Sequence, residues 1–257
     1  AGTSSDGKPY TVDSVSVTGS PTAAFNSKNV TAATTVSFTG LSLTGTGNGN
    51  YTLSAHPTVS KVITAKALTM TGTTIASRQY NATATAGTLT LGTLTGFVSP
   101  ETVTATGLAG DYPSPNVGTR ASTVAYTLID GTDGNGGLAS NYSLASQSVN
   151  GVISTKTLSV TAPSVASRAY DGTRNAGSVT VGTLSGFVGS ETVTATGAGS
   201  LYSSKDVSSY STTVSYTLSD GSNGGLATNY SLATDSATGQ VTACLLYTSD
   251  AADEGLG

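Results

Sequence analysis

Apolar and polar residues alternate along this chain in short runs, and clusters of Gly, Asn, Ser and Asp separate the runs. Within residues 157–243, Leu158-Ser159-Val160-Thr161 has the period of two that a half-buried strand needs, and Pro163 limits it. Val179-Thr180-Val181, Thr192-Val193-Thr194-Ala195-Thr196, Thr213-Val214-Ser215-Tyr216-Thr217-Leu218, Asn229-Tyr230-Ser231-Leu232 and Gln240-Val241-Thr242 are further strand candidates. Between them, Tyr170-Asp171-Gly172-Thr173 carries turn chemistry, with Gly172 free to take a positive φ. No window has a 3.6-residue apolar period, so any helix is limited to a turn near Lys205-Asp206-Val207. The pattern predicts an all-β unit, a small β-sandwich of Ig-like or β-grasp-like type.

The unit recurs. Ala76-Ser77-Arg78-Gln79-Tyr80-Asn81-Ala82 returns as Ala166-Ser167-Arg168-Ala169-Tyr170-Asp171-Gly172, and Glu101 to Gly107 returns unchanged as Glu191 to Gly197. Asn141-Tyr142-Ser143-Leu144 returns as Asn229-Tyr230-Ser231-Leu232. Tyr170 follows Tyr80 by 90 residues and Tyr230 follows Tyr142 by 88, the loss falling in the Gly-rich turn at 130–137 against 220–225. A shorter copy opens the chain, with Phe25-Asn26-Ser27-Lys28-Asn29-Val30 matching Tyr202 to Val207 and Asn50-Tyr51-Thr52-Leu53 matching Asn229 to Leu232. Its first third has no counterpart. The division predicted is therefore a partial, N-terminally truncated repeat over 1–66 and complete repeats over 67–156 and 157–243, followed by a non-domain tail at 244–257. The repeats are expected end to end with little contact between them, like beads. Ala1 reads as a cut through a longer protein or a mature end. Residues 243–254 resemble the translated read-through of a sequencing adapter, so the tail is expected to be an assembly artefact; a genuine acidic tail is the competing reading.

Composition removes several functions. Charged residues make up 9%, against about 25% in an ordinary domain, and the net charge is −4. Without a Lys/Arg surplus, nucleic acid is not an expected partner. Apolar runs fall far short of a membrane-spanning helix, so no membrane insertion is expected. One His and one Cys leave little for a metal centre or a nucleophilic triad. Cys244 lies in the tail, so disulfides are not expected to hold the repeats together. The expectation is no enzyme, with no catalytic, cofactor-binding or metal residues and no cofactor, and a monomeric fragment.

Tyr170-Asp171-Gly172 after an opening strand, the Lys205-Asp206-Val207 element and the late Asn229-Tyr230-Ser231-Leu232 strand resemble the YDG repeat module. With the related MBG modules, it occurs in tandem in large filamentous-haemagglutinin-like adhesins of Gram-negative bacteria. Repeat two reads Tyr80-Asn81-Ala82 at the naming triplet, so that triplet is not a strict chemical requirement. The resemblance implies a secreted, non-catalytic stalk on the bacterial cell surface, extending an adhesive region. Host or environmental glycans or matrix proteins would then be met by other parts of the full-length protein. The alternative is that the repeats themselves bind glycan or matrix, through the loops that differ most between copies, 108–119 and 198–208.

Other chemistry weighs less. Asp130-Gly131-Thr132-Asp133-Gly134-Asn135 has the oxygen-rich look of a calcium loop, but its counterpart at Asp220 lacks the second Asp and no bidentate Glu follows, so a hairpin turn is expected. Glu101 and Glu191 stand alone and read as solvated strand starts. Lys28-Asn29, Lys205-Asp206 and Glu191 are the residue types of an isopeptide crosslink, yet repeat two has Pro115 in place of the Lys. His56 reads as solvated. Asn29, Asn50, Asn81, Asn141 and Asn229 head glycosylation sequons; at Asn141 and Asn229 the competing reading is an Asn that turns the chain before a core Tyr. Tyr142 and Tyr230 are expected to be buried, each facing the same side as the Leu two residues on.

Overall fold

A computed structural model describes residues 2, 6–54, 58–132 and 134–246. His56 and Asp133 lie outside the described residues, as does the tail from Tyr247 onward. The chain gathers into two compact units. One comprises Ala1–Thr73, Leu91–Leu108 and Val124–Gln147, the other Thr74–Thr90, Ala109–Thr123 and Ser148–Gly257. Repeat two contributes to both. The fold is all-β, built from small sheets. Among the described residues the only helical pieces are the 3-10 turns Asn48–Asn50, Ala139–Asn141 and Ala227–Asn229. The turn expected at Lys205-Asp206-Val207 is a bend instead.

In the second unit, Thr- and Ser-rich alternation gives the strands Val193–Gly199, Ser208–Asp220 and Asp235–Thr242, which pair antiparallel. Each turns one set of side chains inward, leaving Val193, Val214 and Val241 buried; full burial of such a side chain is worth about 1.5–3 kcal/mol. The opening strand Lys156–Val160 lies elsewhere, between Leu184–Ser185 and Tyr230–Leu232. It runs parallel to the latter, with Lys156 opposite Tyr230 and Leu158 opposite Leu232. Pro163 follows its end. Only Thr155 separates this opening strand from Gln147–Ser154, the closing strand of repeat two.

In the first unit the same parallel pairing joins Lys66–Thr71 to Tyr142–Leu144, Leu68 opposite Leu144. Leu68, Val103 and Tyr142 form the core there, flanked by Leu94, Phe97, Leu128 and Leu144. Repeat one supplies a long hairpin, Ser14–Phe25 against Thr35–Thr46, with a bulge between Gly19 and Thr22. Cys244, Leu245 and Leu246 carry no secondary structure, and both leucines are exposed.

Candidate functional site: the joint between repeats

Each repeat presents a head built from one short motif. In repeat three, the Tyr230 hydroxyl accepts from the Val188 N–H at 3.1 Å and donates to Glu191 Oε2 at 2.6 Å. In repeat two, Tyr142 accepts from Val98 at 3.3 Å and donates to Glu101 at 2.9 Å. Repeat one follows the same plan with Tyr51, which accepts from Tyr10 at 2.8 Å and donates to Asp13 at 2.8 Å. The carboxylate always stands three residues after the N–H donor, and a backbone bond closes that turn in each copy. Tyr142 and Tyr230 are both buried, and Phe97 and Phe187 meet them edge-on.

The preceding repeat completes the site. Tyr80 of repeat two, only 3% exposed, packs edge-on against Tyr230 and donates its hydroxyl to Glu191 Oε1 at 2.8 Å. Burial, then the hydrogen bond and negative charge of Glu191, push the Tyr80 phenol up to about 12. Burial also raises Tyr230, with Glu191 adding to it. At the earlier joint, Lys28 takes the place of the second phenol, its ammonium 3.0 Å from Glu101 Oε1. That bond, followed by the one from Tyr142, holds the Glu101 carboxyl below its usual range. Glu101 and Glu191 are thus half-buried acceptors at the joints and not the solvated strand starts expected. Lys28 forms an ion pair there.

An asparagine pair sits beside each carboxylate. Asn229, fully buried, accepts from the Val117 N–H at 3.0 Å and donates to Asn116 at 3.0 Å. Asn141 does the same with Val30, at 2.8 Å, and Asn29, at 3.0 Å. These side chains reach across to the preceding repeat while the 3-10 turn delivers the following Tyr to the core. A glycan on Asn229 is incompatible with this packing. The expectation of little contact between repeats fails at both joints, because the side-chain oxygen and nitrogen of each Asn both bond the preceding repeat. In the loop at 108–119, Asn116 serves the joint.

The Tyr-Asp-Gly motif has a different task. The Arg168 guanidinium donates to the carbonyls of Ala169, Thr173 and Asn175 and to Asp171 Oδ1, at 2.6–3.3 Å. Asp171 also accepts from the Thr173 N–H and hydroxyl, both at 2.8 Å. The Thr173 N–H above all keeps the Asp171 carboxyl low. Gly172 takes φ 79°. In repeat two, Arg78 makes the equivalent bonds and the Asn81 amide oxygen stands in for the carboxylate. Both guanidiniums also lie over a tyrosine ring, Arg78 over Tyr112 and Arg168 over Tyr202. This knot aims Tyr80 at repeat three; Tyr170, at the same register, is 37% exposed. The signal for the arginines is their place in the repeated block, each a rare charge three residues before the Asp or Asn.

The Gly-rich turns are not the hairpin turns expected, because the strands they join, Gly118–Ile129 to Tyr142–Leu144 and Ser208–Asp220 to Tyr230–Leu232, lie in different sheets; Asp130 accepts from the Ala139 N–H and Asp220 from the Ala227 N–H, each at 2.7 Å. Chemically, each joint holds a carboxylate between the phenol of its own repeat and a donor from the preceding repeat, Tyr80 at Glu191 and Lys28 at Glu101, an arrangement for clamping chain to chain.

Repeated all-β units that clamp one another through a Tyr–carboxylate–Asn joint make this a tandem-repeat protein. The YDG domain model matches residues 1–59, 64–149 and 154–238, and the chain belongs to that family. Searches of curated proteins and of solved structures find no match.

Proposed function

We propose that this chain is a non-catalytic spacer segment of a bacterial surface adhesin, secreted to the extracellular face and carrying an adhesive region away from the cell. The observation that carries this reading is the joint itself. Donors from one repeat and an acceptor set from the next recur at both junctions, which fixes each repeat against its neighbour as a stalk requires. Among the side chains identical in the two complete copies, Tyr142 and Tyr230 serve the cores, Arg78 and Arg168 the turns, and Glu101, Glu191, Asn141 and Asn229 the joints. Glycan or matrix binding belongs, on this reading, to other parts of the full-length protein.

Incubation of the whole chain with glycan arrays and immobilised matrix proteins tests the proposal. A spacer gives no saturable binding. Saturable binding that is lost on changing exposed residues of the 198–208 loop, with the melting temperature unchanged, makes the repeats a binding module instead.

A further inference from the structure

The amide in the repeat-two knot is held as a carboxylate would be. Asn81 Oδ1 accepts from Arg78 Nη1 at 2.7 Å, from the Thr83 hydroxyl at 2.8 Å and from the Thr83 N–H at 3.1 Å. In repeat three the equivalent donors surround Asp171 Oδ1, Arg168 at 2.6 Å and both Thr173 groups at 2.8 Å. An amide oxygen carries only a partial charge, whereas hydrogen bonds to a full carboxylate are about twice as strong as neutral ones. The cage in repeat two is therefore suited to a negative charge that its Asn does not have. Its counterpart shows the benefit, since the Thr173 N–H above all keeps the Asp171 carboxyl low.

The same cage suits the transition state that links amide to acid. When water attacks an amide carbon, negative charge develops on the carbonyl oxygen, and donors about 2.7–3.1 Å from that oxygen form an oxyanion hole. The three donors on Asn81 lie at 2.7–3.1 Å. Asn81 is exposed, so water reaches its Cγ. We infer that the repeat-two knot hydrolyses its own amide, a single self-modification that converts Asn81 to Asp and completes the Arg–Asp knot of repeat three. Water adds to Cγ while Arg78 and Thr83 hold the oxyanion. The C–N bond then breaks with its electron pair passing to nitrogen, which takes a proton from the added water and leaves as ammonia. At neutral pH the new acid gives its proton to the ammonia, so the products are a carboxylate and ammonium. Closure of the Ala82 nitrogen onto Cγ, the route to isoaspartate, needs a mobile backbone. Here Arg78 pins that backbone at the carbonyls of Gln79, at 3.1 Å, and Thr83, at 2.6 Å. Water is thus the nucleophile and aspartate the product, paired with Arg78 as Asp171 is with Arg168.

The test incubates the full chain at neutral pH and follows residue 81 by digestion and mass spectrometry, with synthetic standards separating aspartate from isoaspartate. A synthetic peptide with the sequence of residues 76–86, in the same buffer, supplies the uncaged rate. The folded chain should convert at least about tenfold faster than the peptide, since one oxyanion donor is worth about 10²–10³ in rate, and should give chiefly aspartate. Thr83→Val removes the hydroxyl but keeps the N–H, and should slow conversion at least about tenfold. Unfolding the parent chain in urea should bring its rate down to that of the peptide, a control that does not depend on how the variant folds. Asn81→Asp should melt above the parent at neutral pH, because the cage then holds its full charge. A folded chain that converts no faster than the peptide overturns the inference. So does isoaspartate as the main product, a folded Thr83→Val variant that converts at the parental rate, or an Asn81→Asp variant that melts no higher than the parent.

Discussion

Tyr80 and Glu191 lie 111 residues apart in sequence and meet at 2.8 Å, a phenol of one repeat donating to the carboxylate of the next. At the preceding joint Lys28 and Glu101 occupy the corresponding places. The two joints share a plan but differ in depth, since the Lys28 side chain is 79% exposed while Tyr80 is buried.

That difference sets their sensitivity to mutation. Tyr80→Phe keeps the ring but deprives Glu191 of a donor, and should cost about 1–3 kcal/mol. Lys28→Ala removes a solvent-facing ion pair, which is worth about 0–1 kcal/mol. Urea denaturation of the full-length variants checks this, and equal effects would mean that depth does not govern the joints.

Asn229→Ala leaves the Val117 N–H and the Asn116 side chain without their partner in a buried place. The expected loss is about 1–3 kcal/mol. Amide exchange at Val117 should accelerate more than exchange in the Val193–Gly199 strand. Unchanged protection at Val117 would show that the bond does not hold the joint.

The two arginine knots differ in one backbone position. Ala82 holds φ 61° where Gly172 holds φ 79°, and a left-handed conformation is unfavourable for any residue with a Cβ. Ala82→Gly should therefore raise the melting temperature, by a gain of up to about 1 kcal/mol. Gly172→Ala should lower it by a similar amount. A loss on Ala82→Gly would mean that chain entropy outweighs the relief of strain.

Stability should fall at both ends of the pH range. The folded state raises the Tyr80 phenol to about 12, so its contribution is complete below the ordinary phenol value, near 10, and is lost as pH rises through about 12. Glu101 is held low by Lys28 and Tyr142, so its contribution is present above the ordinary carboxyl range and disappears as pH falls through the folded value. Melting curves against pH measure both, and Tyr80→Phe should flatten the alkaline limb alone.

Local chemistry made the strands and turns legible in the sequence. The alternation in Thr213 to Leu218 marks part of the strand Ser208–Asp220, and Tyr170-Asp171-Gly172 marks a turn whose Gly takes positive φ. The two-residue strands Ser164–Val165 and Arg168–Ala169 are too short to show a period. Tyr142 and Tyr230 stood out because an aromatic recurring in register needs a common pocket. The joints were hidden because their partners come from different repeats. Asn116 paired with Asn229, or Lys28 with Glu101, is unremarkable in composition and acquires meaning only when the fold brings the two together. Glu191 looked isolated along the chain for the same reason.

The parallel pairing of Lys156–Leu158 with Tyr230–Leu232 bears on how the protein withstands pulling. Tension transmitted along the polypeptide enters the third repeat at Lys156, directly from the closing strand of the second, and leaves beyond Leu232. Parallel strands drawn toward opposite ends slide along each other, so their hydrogen bonds are loaded in shear and share the force. An antiparallel hairpin pulled at its open end would surrender those bonds one at a time. A single-molecule pull on the chain should accordingly give abrupt ruptures for the repeats that carry this pair; a gradual yield would show that the force takes another route.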